Sequence, residues 1–178
     1  MIRFRTIEID RQPEQSRREA ERDAVCKCLR LLGYSSGYKH HDNGAPYIES
    51  PTPIRVSISH SRRWAGVAVG EIDDPALGID IESVDREGLQ RVLPRVLTEA
   101  ELAMVRESEN GATKAWTAKE AVYKAVGRMG VDFRRDIRLD NLEMGLATFL
   151  PEQRRFKLNY MNLKENDLLC IASEYNNS

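Results

Sequence analysis

The sequence predicts an α+β fold of short antiparallel strands and a few long helices, and three observations carry that expectation. Ala20, Ala24, Val25, Cys28, Leu29 and Leu32 recur at helical spacing behind a first strand-like segment. Residues 55–59 and 64–69 are strand-like and a few polar residues apart, as in a hairpin. A second helical pattern over 116–126 precedes four short strand-like segments joined by polar turns. At 178 residues the chain can bury a core as one domain or as two small halves. Hydrophobic residues at 41% and charged ones at 31% describe a soluble globular protein.

Taken in order, residues 3–9 carry Phe4, Ile7 and Ile9 in partial alternation and read as a strand. Pro13 and Ser16 announce a helix over 17–32, which Gly33 ends. Residues 34–53, rich in Gly, Ser, Asn and Pro, read as loop with a short strand at Tyr47-Ile48. Asp73-Asp74-Pro75 is a turn, and residues 77–82 form the next strand. Thr98 with Glu101 three residues on makes a capping box for a helix reaching Glu107. Glu109-Asn110-Gly111 breaks the chain before the long helix, which Gly127 and Gly130 close. The remaining strands are expected over 137–139, 146–149, 156–160 and 168–172.

A net charge of −1 and a pI of about 6.3 give no global basic field, so nucleic acid is not an expected partner. The region after residue 110 leans basic through Lys114, Lys119, Lys124, Arg128, Arg134, Arg135 and Arg138. That lean reads either as a solvated helix face or as a dock for phosphates and an acidic partner. Cys26, Cys28 and Cys170 are too few and too poorly spaced for a disulfide framework or a zinc site. The N-terminus has no apolar run of signal-peptide length and no segment approaches a membrane span, so a cytoplasmic location and no membrane association are expected.

Two segments carry the chemistry. In Gly78-Ile79-Asp80-Ile81-Glu82 the period of a strand puts Asp80 and Glu82 on one face and Ile79 and Ile81 on the other. In Trp116-Thr117-Ala118-Lys119-Glu120-Ala121-Val122-Tyr123-Lys124 the period of a helix stacks Glu120 and Lys124 one turn apart. A helix crossing the end of that strand would bring three carboxylates beside an ammonium. Such a set suits Mg²⁺ holding phosphates, because that hard cation takes a few carboxylate oxygens and completes its shell with water and phosphate.

These residues resemble the signature of the 4′-phosphopantetheinyl transferases, which move the phosphopantetheine arm of coenzyme A onto a carrier-protein serine. The pattern is a Gly-hydrophobic-Asp strand followed by an aromatic-x-x-Lys-Glu-x-x-x-Lys helix. Glu82 two residues after Asp80 resembles the larger single-chain type that activates surfactin and enterobactin synthetases. Asn43-Gly44-Ala45-Pro46 resembles that type's Gly-x-Pro loop, with alanine at the usual lysine. Val56-Ser57-Ile58-Ser59-His60-Ser61 resembles its strand ending in Ser-His-Ser.

The resemblance implies two similar α/β halves about a pseudo-twofold axis, here 1–75 and 76–178, each a small antiparallel sheet with a long helix, and a ligand in the seam. Asp80, Glu82 and Glu120 would be the Mg²⁺ ligands. Gly44, Pro46, Ser59, His60, Asp80 and Lys124 would contact coenzyme A, with Arg62 and Arg63 close to His60 in sequence. Arg17, Arg18, Arg22 and Lys39 are candidates for its 3′-phosphate. Glu120 and Lys124 would be catalytic. Direct proton abstraction by Glu120 and abstraction through a water both stay open. Glu101 after Leu97 resembles the family's Phe-x-x-x-Glu segment, and a capping box explains it equally well. The implied partner is an apo acyl or peptidyl carrier protein, and the two-half reading favours a monomer. Two rival readings stand beside this one: a non-catalytic module binding coenzyme A or a carrier protein, and a Mg²⁺ phosphohydrolase with a convergent acidic cluster.

Overall fold

A computed structural model of the chain describes residues 1–175. In chain order the elements are β1 (Arg3–Glu8), α1 (Arg17–Leu31), β2 (Lys39–His40), β3 (Pro46–Tyr47), β4 (Ile54–His60), β5 (Trp64–Glu71) and β6 (Leu77–Ser83). There follow α2 (Leu89–Val96), α3 (Glu99–Glu107), α4 (Gly111–Val126), α5 (Phe133–Asp136), β7 (Ile137–Asn141), β8 (Leu146–Phe149), β9 (Arg154–Leu163) and β10 (Asp167–Tyr175). The fold is α+β, and all its ladders are antiparallel: a sheet ordered β1-β5-β4, a sheet ordered β6-β10-β9-β8-β7, and the β2-β3 hairpin.

Each large sheet carries one long helix. Ser16 caps α1 in a reciprocal box with Glu19, and Ala24, Val25, Cys28, Leu29 and Leu32 pack on Ala65, Val67 and Val69. Burial of Cys28 pushes its thiol up to about 11, so it behaves as a small apolar core residue. Against the larger sheet, α4 buries Ala115, Ala118, Ala121, Val122 and Ala125 among Ile137, Leu139, Phe149, Phe156 and Cys170. A third cluster, Ala68, Leu77, Ile79, Ile81, Leu169 and Ile171 with Phe4 and Trp64 against it, joins the two sheets. Ile79 and Ile81 therefore do turn to the core, as the period of two requires. The sheets are unequal, three strands against five, and the pseudo-twofold relation remains an expectation of the resemblance.

Two contacts set the site. Strands β4 and β6 run side by side in the same direction, joined by side chains rather than a backbone ladder. Ile79 N–H donates to Ser57 Oγ at 3.0 Å, and Ile81 N–H donates to Ser59 Oγ at 3.1 Å. On the α4 side, Gly78 lies so close to the helix that an added Cβ would sit 1.9 Å from the carbonyl oxygen of Ala121. The missing side chain lets α4 ride directly over β6.

Two short helices differ from the sequence reading. Helix α2 begins at Gly88, whose side chain cannot cap it, and contains Pro94, so both of the usual start and continuation signals are missing. Helix α5 is one turn, capped by Asp132 onto Arg135 N–H at 2.8 Å. No helix among the described residues is long and apolar enough to cross a membrane.

Candidate functional site in the seam

A cleft of about 980 Å³ runs along the junction of the two sheets. From the first half, Gly44 and Pro46 of the β2-β3 turn and Ser59 and His60 of β4 line it. Asp80 of β6 and Lys124 of α4 line it from the second half, so all six residues expected to contact the cofactor reach one cavity. The turn is built locally. Gly44 takes φ +82°, which a glycine adopts freely, and Asn43 Oδ1 accepts the Ala45 N–H at 3.0 Å. His60 is exposed at the rim, its Nδ1 3.6 Å from Glu21, which Arg17 holds at 2.7 Å.

The floor of the cleft is electrostatic. Lys124 Nζ donates to Asp80 Oδ1 at 2.8 Å and to the Ile79 carbonyl at 3.0 Å, and Ser59 Oγ donates to the same Asp80 oxygen at 2.9 Å. Burial, and then the negative charge of Asp80, push the Glu120 carboxyl above its ordinary value; Lys124 and Arg86 pull it back. Glu120 thus lies beside Asp80 and Lys124, as the crossing of strand and helix requires. Glu82 is different: its carboxylate is bonded to Arg86, whose guanidinium sits 4.9 Å from the Trp116 ring centroid. Among the described residues no group of three acidic, histidine or cysteine side chains is arranged to hold a metal ion. The expected convergence of three carboxylates is therefore not formed among the described residues, and Glu82 is paired instead with Arg86, which the sequence did not single out. The donors themselves fit a hard divalent cation: all are carboxylate oxygens, and three negative charges face the two positive charges of Lys124 and Arg86.

The candidate cations divide sharply. Arg17, Arg18 and Arg22 line the cleft, whereas Lys39 is drawn off to Glu49 at 2.6 Å. Arg63 turns away from the cleft to Asp167 at 2.7 Å and to Ser83 and the Glu165 carbonyl, so nearness to His60 in sequence misplaces it. Nor is the basic lean after residue 110 an open cationic field. Lys114 meets Glu143, Lys119 meets Glu101, Arg128 meets Glu152, Arg135 meets Asp136 and Arg138 meets Asp140, while Arg134 donates to the Pro94 carbonyl. Lys119 is wholly buried, and burial pulls its ammonium below the ordinary lysine range against the opposing charge of Glu101.

Tyr38, His40, Tyr123 and Met129 also line the cleft and were not identified from sequence. A signal existed for two of them: Tyr38 and His40 lie two apart, and the turn at Gly44 pairs His40 with Pro46 across the hairpin. Tyr123 packs on Phe133, their ring centroids 5.5 Å apart, while also facing the cavity.

No curated protein matches the chain. A family model for the 4′-phosphopantetheinyl transferase superfamily matches residues 76–172, more than half of the length, and the matched span holds β6, α4, Asp80, Glu82, Glu120 and Lys124. A seam that joins Asp80 and Lys124 to the Gly-x-Pro turn and the Ser-His-Ser strand, while Glu82 and Glu120 lie outside the residues lining the cleft, together with that match, makes this chain a member of the 4′-phosphopantetheinyl transferase superfamily.

Proposed function

We propose that this protein transfers the 4′-phosphopantetheine arm of coenzyme A to a serine of an apo acyl or peptidyl carrier protein and releases 3′,5′-ADP, with Mg²⁺ as its cation. The supporting observation is the single cleft in which Gly44, Pro46, Ser59 and His60 face Asp80 and Lys124. In the reaction the serine oxygen bonds to the phosphorus that carries the pantetheine arm. The bond from that phosphorus to the bridging diphosphate oxygen breaks, and the electron pair leaves with 3′,5′-ADP.

Little covalent help is needed for such a transfer; positioning and charge neutralisation do most of the work. Lys124 would neutralise charge on the departing phosphate, and its bond to Asp80 keeps its ammonium at the cleft floor. Glu120, beside Asp80 and Lys124, would accept the serine proton directly or through a water. Asp80 and Glu120, with Glu82 once it is free of Arg86, would hold Mg²⁺, which when bound supplies neutralisation of the diphosphate. Arg17, Arg18 and Arg22 would meet the remaining phosphate at the outer wall.

Incubation with coenzyme A, Mg²⁺ and apo carriers should raise the carrier's intact mass by about 340 Da, the covalent arm. No shift on any of several carriers would overturn the reading. Glu120→Ala should lower kcat by at least about a hundredfold while the urea unfolding midpoint holds. Near-normal turnover would remove Glu120 from the proton transfer.

A further inference from the structure

We propose that Arg86 is a resident counter-cation of the acidic cluster, which a divalent metal must displace from Glu82 before all three carboxylates can serve it. The identity of the metal site rests on the transferase reading above; the role of Arg86 rests on its contacts. Its guanidinium is bonded to Glu82 four residues back and lies over Trp116. Trp116 is one helical turn before Glu120 on α4, so Arg86 is stationed beside the same helix that carries the second acid. Without Arg86, three carboxylates would face Lys124 alone.

The arrangement is movable. The Arg86 side chain is 38% exposed and the Glu82 side chain 20%, so the pair is held by a screened ion pair and a ring contact rather than locked in a core. A metal ion drawing in Glu82 leaves the guanidinium on the Trp116 face, where it is free to take a phosphate oxygen. A fork of donors that leaves a carboxylate is well shaped for a phosphate. Metal and diphosphate would then assist each other's binding by the same factor, because each favours the released arginine.

The probe is Mn²⁺, titrated into the full chain without coenzyme A and followed by the resonance signal of the free ion. Arg86→Gln should bind Mn²⁺ roughly two- to fivefold more tightly than wild type, the range expected from removing one competing exposed ion pair. Arg86→Lys, which keeps the charge, should recover at least part of the wild-type weakness. Equal or weaker binding by Arg86→Gln, or no Mn²⁺ binding by either protein, overturns the proposal. Carrier modification by wild type is measured in parallel. Transfer without tighter Mn²⁺ binding in Arg86→Gln refutes the arginine alone; tighter binding without transfer refutes the transferase reading alone.

Discussion

At Gly78 one missing methyl group decides where the helix above can sit. A Cβ there would meet the Ala121 carbonyl oxygen at 1.9 Å and the Ala125 nitrogen at 2.7 Å, and neither backbone atom can swing aside. Gly78→Ala should therefore cost about 3 kcal/mol in urea unfolding and lift Glu120 and Lys124 away from Asp80. A cost under about 1 kcal/mol would show that α4 can yield. A second residue sets an acid limit. The Arg135 guanidinium, then the Asp132 N–H, hold Asp136 down to about 2 from an ordinary 3.8. A depressed carboxyl stabilises the fold above its unfolded value and loses that contribution as pH falls towards the folded one. Asp136→Asn should melt earlier than wild type near neutrality, with the gap closing between 3.8 and about 2; a gap independent of pH would dismiss the ion pair. Of the site residues, Asp80, Glu120 and Lys124 were legible because strand and helix periods fix which side chains share a face. Arg86 and Arg63 were not, because long flexible cations choose partners that only folding brings near.

At the scale of the element, α4 is oriented by a buried charge. Lys119 is 0% and Glu101 1% exposed, and their atoms approach to 2.7 Å. Lys119 also donates to the carbonyls of Phe133 and Ile137, while Glu101 accepts from Leu139 N–H and from both donors of Thr98. Helices α3, α4 and α5 and strand β7 thus meet at one fully bonded pair, and the residue after Lys119 is turned toward Asp80. Glu101 is the capping acid that the sequence suggested, and it is also the partner of Lys119, which the sequence did not suggest. Lys119→Met should cost about 3–5 kcal/mol, because it strands a buried carboxylate. Urea denaturation checks this, and a loss below about 1 kcal/mol would mean that water reaches Glu101. The Thr98–Glu101 capping box was readable because its chemistry is local; at Ser16 only the helix start was read, and the structure adds the box with Glu19. Helices α2 and α5 escaped because tertiary packing of Leu89 and Leu93, or a single Asx cap, supports them.

Across the whole molecule, the far side of the junction carries its own fastening. Arg63 binds Asp167, which is 1% exposed, and the Trp64 indole N–H donates to the Lys164 carbonyl at 3.2 Å. Arg63→Ala should cost about 2–3 kcal/mol, since it removes the counterion of a buried acid. If thermal melting is unchanged, this contact does not hold the lobes. Sequence motifs named both walls of the cleft, yet no residue pattern announced the serine contacts between β4 and β6, for a hydroxyl in a strand looks like any other polar position. Those hydroxyls have one more effect. Strands β4 and β6 each end their sheet, so each would present unpaired peptide groups to any passing strand. By lying against one another, capped through Ser57 and Ser59, they deny that template to neighbouring molecules; either lobe produced without its mate would carry an open border and tend to polymerise into insoluble material.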